Sequence, residues 1–147
     1  MCYNTYQDKI TTIYCGLDRK EINILVKFEK ISFEQYFKDM NDTFYSKGYI
    51  DLSSEEGHGV KTEYEDIKLP KRGTMNSAGY DFFAPFGFEL KVGQSIKIPT
   101  GIKCCMVNPE QRLFLGIFPR SSLGFKYRAQ IDNTVGIIDA DYYNNSN

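Results

Sequence analysis

The hydrophobic pattern changes character near residue 67. Before it, Met1 to Leu25 mixes polar and apolar residues with no clear period, so residues 1–25 read as an unassigned, poorly packed extension. Val26-Lys27-Phe28-Glu29-Lys30-Ile31 alternates and predicts a strand. Ser32 with Gln35 three positions on is a capping-box signature. Phe33, Tyr36, Phe37, Met40 and Phe44 then recur at helical spacing, which predicts one short amphipathic helix docked on the domain and not a cofactor box. Residues 46–66 are polar, with Gly48, Gly57, Gly59 and six acidic side chains, and read as a surface loop or linker.

After Ile67, short alternating or apolar runs recur at intervals of roughly 8–12 residues, the signature of a sandwich or barrel. The predicted strands are Tyr80–Ala84, Phe88–Leu90, Ser95–Ile98, Ile102–Val107, Arg112–Phe118 and Thr134–Ile138. Pro70, Gly73, Pro85-Phe86-Gly87, Val92-Gly93-Gln94, Pro99-Thr100-Gly101 and Asn108-Pro109-Glu110 punctuate them. Strands and helices do not alternate, which argues against a parallel doubly wound sheet. The expected organisation is an extension (1–25), a strand, helix and linker (26–66), and an all-β domain (67–147).

Composition narrows the chemistry. A chain of 147 residues suits one domain and buries roughly 70% of its unfolded surface. A net charge of −1 gives no global basic field, so no nucleic-acid partner is expected. No run of 18 apolar residues exists, and no apolar stretch follows Lys9, so neither a membrane span nor a signal peptide is expected and the chain reads as cytoplasmic. Cys2, Cys15, Cys104 and Cys105 form no CxxC and read as reduced thiols, with the adjacent pair on opposite faces of a strand. The single histidine, His58, lies in a polar glycine-flanked stretch, which leaves a Ser/His/Asp triad or a histidine-based zinc site without support. Eleven Tyr and eleven Phe suit strands.

Two stretches in the last third carry chemistry. Pro119-Arg120-Ser121-Ser122-Leu123-Gly124 offers a guanidinium fork and two hydroxyls in a loop, which is what a phosphate needs. Gly136-Ile137-Ile138-Asp139-Ala140-Asp141-Tyr142 is an apolar strand that delivers carboxylates and an aromatic ring to a sheet rim. A phosphate-binding loop near a candidate general base suggests phosphate-ester chemistry.

These stretches, with Ser77-Ala78-Gly79-Tyr80-Asp81-Phe82 and Asn133-Thr134-Val135-Gly136-Ile137-Ile138-Asp139-Ala140-Asp141-Tyr142, resemble the first three motifs of the trimeric dUTP diphosphatases (dUTPases). Pro99-Thr100-Gly101-Ile102 is similar to the family's linking turn, and the resemblance runs from about Ile67 to Tyr143. It implies a distorted β jelly roll (a β-clip) forming a homotrimer, with each active site shared between subunits. It also implies Mg²⁺-dependent hydrolysis of dUTP to dUMP and pyrophosphate. Residue by residue, Asp139 resembles the general base that orients water for attack on the α-phosphorus, its plain alternative being a solvated turn aspartate. Tyr142 resembles the ring that packs under the deoxyribose and leaves no room for a 2′-hydroxyl. Asn133 resembles the residue that meets the uracil edge, and backbone groups of the hairpin from Asn133 to Tyr142, Gly136 and Ile138 among them, are expected to read the rest of the base. Ser121 resembles the hydroxyl that contacts the phosphates, with Ser122 and Gly124 adding donors or close backbone approach. Arg120 resembles the arginine that pairs with an acid of a neighbouring subunit at the substrate site. Asp81 resembles an indirect support of the metal site, since Mg²⁺ prefers substrate oxygens and water.

Two departures stand out. Where the family usually reads Tyr-Arg-Gly after the third motif's aspartate, this chain reads Tyr142-Tyr143-Asn144-Asn145. The fourth and fifth motifs do not follow before Asn147, so the sequence reads as part of a longer protein. Two other readings stay open: a dCTP deaminase of the same fold, whose third motif has a Pro-Gly-Phe-like sequence where Asp141-Tyr142 stands here, and a non-catalytic trimeric interaction module.

Overall fold

The computed structural model describes residues 9–14, 25–45, 55–107 and 113–145. Readings placed on Cys2, Cys15, Gly48, Asn108-Pro109-Glu110 and Arg112 lie outside the described residues. Strands β1 (Lys9–Tyr14), β3 (Gly79–Phe83), β5 (Phe114–Pro119) and β6 (Gly136–Asp139) make a four-stranded antiparallel sheet in the order β3-β1-β5-β6. Strands β2 (Leu25–Lys30) and β4 (Ile102–Val107) pair antiparallel as a separate ribbon. Helices α1 (Phe33–Phe44), α2 (Glu55–Asp66) and α3 (Ser121–Tyr127) complete the described fold, with a 3₁₀ turn over Ala140–Asn145. The expectation of an all-β chain with one helix therefore gives way to a β-rich fold with three helices.

Between sheet and ribbon lies one core, built from Phe82, Met106 and Leu115. Val26 and Phe28 enter it from β2 and Ile138 from β6, so the alternating positions of β2 face inward as their pattern predicts. Phe28 meets the rings of Tyr80 and Phe82 edge-on, with centroids at 5.1 and 5.7 Å. Cys104 packs against this core, whereas Cys105 lies opposite Lys27 on the outer face of the ribbon, as the opposite-face reading anticipates.

A second core joins the helices. Ser32 caps α1 by accepting from the Gln35 N–H at 3.2 Å. Only this half of the capping box is made, because the Gln35 side chain donates instead to Asp39, at 2.8 Å. Tyr36 and Met40 are buried with Ile31, Val60 and Ile67. The linker expected over 46–66 is corrected from Glu55 onward. Val60, Tyr64 and Ile67 fall at helical spacing and pack on α1, and Lys30 Nζ donates to the Tyr64 and Glu65 carbonyls at the end of α2 at 2.9 and 2.8 Å. Tertiary burial and this capping outweigh the low helix propensity of Gly57 and Gly59.

Gly101 shows why a turn residue is required at the junction of the two cores. Its φ is +66°, and a Cβ there would collide with Ile67 and Tyr36. Ile102, next in the chain, packs against both cores.

Three further expectations change. Residues 9–14, inside the segment read as a poorly packed extension, form β1 between β3 and β5; the β-branched run Ile10-Thr11-Thr12-Ile13 suits that place. Phe88–Leu90 and Ser95–Ile98 are not strands. Phe88 makes only an isolated bridge, and Leu90, Ile96 and Ile98 are half-buried while Glu89 and Lys97 are exposed, so half-burial yields the alternation without a strand. Finally, the Arg-Ser-Ser loop is the start of helix α3. Among the described residues no helix is long and apolar enough to cross a membrane.

Candidate active site

The first half of the candidate site joins β3 to the start of α3. Asp81 sits on β3, where its backbone exchanges hydrogen bonds with Lys71 (Asp81 N–H to Lys71 O at 2.8 Å, Lys71 N–H to Asp81 O at 3.3 Å). The residue is only 6% exposed. A carboxylate so placed needs strong partners, and Arg120 supplies one: its Nη1 donates to Asp81 Oδ1 at 2.9 Å. Arg120 occupies the cap position of α3 and makes no side-chain cap, since a guanidinium has no acceptor to offer the first-turn N–H groups; its side chain reaches Asp81. Asp81 is thus committed to a guanidinium of its own chain.

Ser121 and Ser122 follow in the first turn of α3, both exposed. Gly124 lies inside the helix, with open space where a Cβ would be. Among the described residues no neighbour would obstruct a Cβ there. Helix α3 ends at Arg128, which adopts the left-handed conformation (φ 55°) and donates its N–H to Gly124 O at 3.2 Å.

The second half begins at a tight turn. Thr134 N–H donates to Ile131 O at 2.9 Å, and Thr134 has φ 62°. Asn133 is exposed in this turn, its carbonyl accepting from Val135 N–H at 2.7 Å. β6 then pairs with β5, Ile137 opposite Gly116 and Asp139 opposite Phe114. Gly136 is close-packed, since a Cβ would lie 3.3 Å from Ile117 Cβ. The Ile138 side chain belongs to the core, so any substrate contact by Ile138 is through its backbone. β6 is the terminal strand of its sheet, and such an edge presents backbone donors and acceptors.

Asp139 closes β6 and is exposed. The chain then enters the 3₁₀ turn, so the hairpin expected from Asn133 to Tyr142 is replaced by a strand and a turn. Tyr142 is 63% exposed there. Tyr143 points the other way: its hydroxyl donates to Glu29 Oε2 at 2.7 Å, and Lys103 Nζ lies 4.8 Å from its ring centroid. Hydrogen bonds from Lys27 and Tyr143 pull the Glu29 carboxyl below its ordinary value, and the Glu29 contact raises the Tyr143 hydroxyl. Sequence reasoning missed Glu29 and gave Tyr143 no role; the only signal was the polar positions Lys27 and Glu29 sharing one face of β2.

The structure brings Arg120 and Asp81 into contact and keeps both far from Asp139. Asp139 lies opposite the first residue of β5, whereas Arg120 follows the last, a separation of about 20 Å along an extended strand. Asp81 is on the strand at the opposite edge of the sheet from β6. Among the described residues no three His, Cys, Asp or Glu side chains gather as a metal cage.

A β-rich scaffold with an Arg-Ser-Ser segment and an acid at the end of a strand has the makings of a phosphate-ester site. The dUTPase family model matches residues 65–146, more than half of the chain, and the chain belongs to that family. Named relatives agree. A deoxyuridine 5′-triphosphate nucleotidohydrolase of Lactococcus lactis is 42% identical over 91 residues, covering 60% of this chain and 59% of that protein. Proteins of the same name from Polynucleobacter asymbioticus and Mannheimia succiniciproducens are each 40% identical, over 77 and 79 residues. These alignments cover 51% of this chain and 50% of the first protein, and 52% of this chain and 51% of the second. The chain therefore spans about half to three fifths of the length of these relatives. No solved structure matches it.

Proposed function

We propose that this chain carries the nucleotide site of an enzyme that hydrolyses dUTP to dUMP and pyrophosphate. One observation carries the reading: the family match encloses every candidate site residue, from Asp81 to Tyr142. In this reading the Asp139 carboxylate takes a proton from a water aimed at the α-phosphorus. The water oxygen bonds to that phosphorus as the bond to the α,β-bridging oxygen breaks, and pyrophosphate leaves with that oxygen. Arg120 keeps N–H donors beyond the one given to Asp81, and these, with the Ser121 and Ser122 hydroxyls and the open backbone at Gly124, hold phosphate oxygens. Asn133 and the backbone edge at Gly136 and Ile138 read the uracil. The Tyr142 ring packs under the deoxyribose and excludes a 2′-hydroxyl. Mg²⁺ on the triphosphate supplies charge neutralisation, with Asp81 as an indirect support.

Separation of the two halves along β5 supports a site completed between neighbouring copies. The same reading takes the protein as a homotrimer of jelly-roll subunits acting in the cytoplasm, with dUTP and dUMP as ligands and neither nucleic acid nor membrane as a partner. Pyrophosphate release from dUTP, dCTP, dTTP and UTP, with Mg²⁺ and with EDTA, tests this beside Asp139→Asn. The expected result is metal-dependent turnover of dUTP alone, lost in the variant. Ammonia release from dCTP would assign the site to a deaminase, and no nucleotide turnover or binding would leave only the interaction-module reading.

A further inference from the structure

The turn that carries Tyr142 is pinned at two places. Ala140 packs into the core between sheet and ribbon. Tyr143 docks on the outer face of the ribbon, where β2 and β4 place Glu29 opposite Lys103. The phenol oxygen meets the Glu29 carboxylate at 2.7 Å, the ring faces the Lys103 ammonium at 4.8 Å, and Lys27 Nζ holds the other oxygen of Glu29 at 2.5 Å. Successive residues of a 3₁₀ turn diverge by about 120°. With Tyr143 turned onto the ribbon, Tyr142 is directed outward, where it is exposed. Asp139, the last residue of β6, leads directly into the same turn.

We infer that Tyr143 is a positioning residue of the candidate site: held by Glu29 and Lys103, it sets the direction of Tyr142 and steadies Asp139. This role deepens the dUTP-hydrolysing reading and rests on it. Glu29 lies outside the family-matched residues 65–146, so the preceding part of the chain contributes to the site. Tyr143 itself stands where the Tyr-Arg-Gly pattern has its arginine.

Tyr143→Phe removes only the hydroxyl, and Glu29→Gln removes the charge that receives it. Three quantities are measured for each variant and for the pair: kcat/KM for dUTP and for UTP, the thermal midpoint, and backbone hydrogen exchange over residues 139–145. A looser Tyr142 admits the 2′-hydroxyl, so each single variant is expected to lower the preference for dUTP over UTP by about tenfold. The double variant should lose little more than either alone, because both act through one contact. Exchange over 139–145 should quicken while the thermal midpoint stays near that of the unmodified chain. An unchanged dUTP preference in both variants, with the unmodified chain still turning over dUTP, overturns the positioning role even where exchange quickens. An unmodified chain that neither binds nor hydrolyses dUTP instead sinks the dUTP-hydrolysing reading, and the positioning role falls with it.

Discussion

The two halves of the candidate site are held on opposite physical terms. Around Asp81, the carboxylate is buried, its backbone is bridged to Lys71, and Arg120 neutralises it. Around Asp139, the acid and Tyr142 are exposed at the end of an edge strand, and the contacts that hold the turn come from Ala140 and Tyr143. In the first half, one contact serves both the fold and the chemistry proposed for Arg120. In the second, the groups proposed to do chemistry carry no burden of stability, and their neighbours carry it for them. A buried ion pair is costly to break, whereas an exposed acid is cheap to replace. Stability and activity should therefore separate in one half and fall together in the other.

Asp139→Asn should separate them most widely. Turnover of dUTP is expected to fall about 10³-fold, as for loss of a general base, while the unfolding free energy changes by less than about 0.5 kcal/mol. Single-turnover kinetics beside urea denaturation checks both. A drop in stability would show that Asp139 also holds the fold.

Arg120→Met should do the reverse of separating them. It leaves the Asp81 carboxylate buried without its guanidinium, at a cost of about 2–3 kcal/mol, below the full penalty for a buried pair because Arg120 is partly exposed. Nucleotide affinity should fall in the same variant. Urea denaturation and equilibrium binding of dUMP measure the two losses, and a loss of affinity alone would place Arg120 outside the fold's support.

Gly124→Ala sharpens the comparison in the other direction. A helix-interior glycine with open space around it should gain about 0.5–1 kcal/mol of stability on substitution. If phosphate approaches this backbone, triphosphate affinity falls as stability rises, and calorimetric titration with a non-hydrolysable dUTP analogue detects it.

The smallest effect concerns pH. Glu29 titrates below its ordinary 4.5, so its share of the clamp is complete above that value and is lost as pH falls through the lowered one. Tyr143 titrates above its ordinary 10.0, so its hydroxyl donates below that value and is lost only as pH rises through the raised one. Hydrogen exchange over residues 139–145, corrected for the intrinsic rate, should therefore be level from about pH 6 to about pH 9 and quicken in acid.

Much of this contrast was legible in the sequence, and its limits have physical causes. Strands β2 to β6 followed from short apolar or alternating runs, those after Ile67 set between turn residues, and α1 from Tyr36, Phe37 and Met40 at helical spacing. Helix α2 was hidden because Gly57, Gly59 and a run of acids outweigh Val60 and Tyr64 in any local reading; the Lys30 that caps it lies more than thirty residues away. β1 was hidden because its neighbours come from distant parts of the chain. The motifs pointed to Arg120 and Asp81 separately, but not to their meeting within one chain, and they singled out Tyr142 while nothing local pointed to the partners of Tyr143.

β1 has a consequence for how the molecule is made. Ile13 pairs with Ile117, more than one hundred residues later. At a synthesis rate of about 10 residues per second, the first partner waits roughly ten seconds for the second. Closing so large a loop is slow even once both are present, and slow closure leaves strand edges open meanwhile. For as long as it lacks β5, the nascent chain can pair β1 only with β3, and the other edge of β1 stays open.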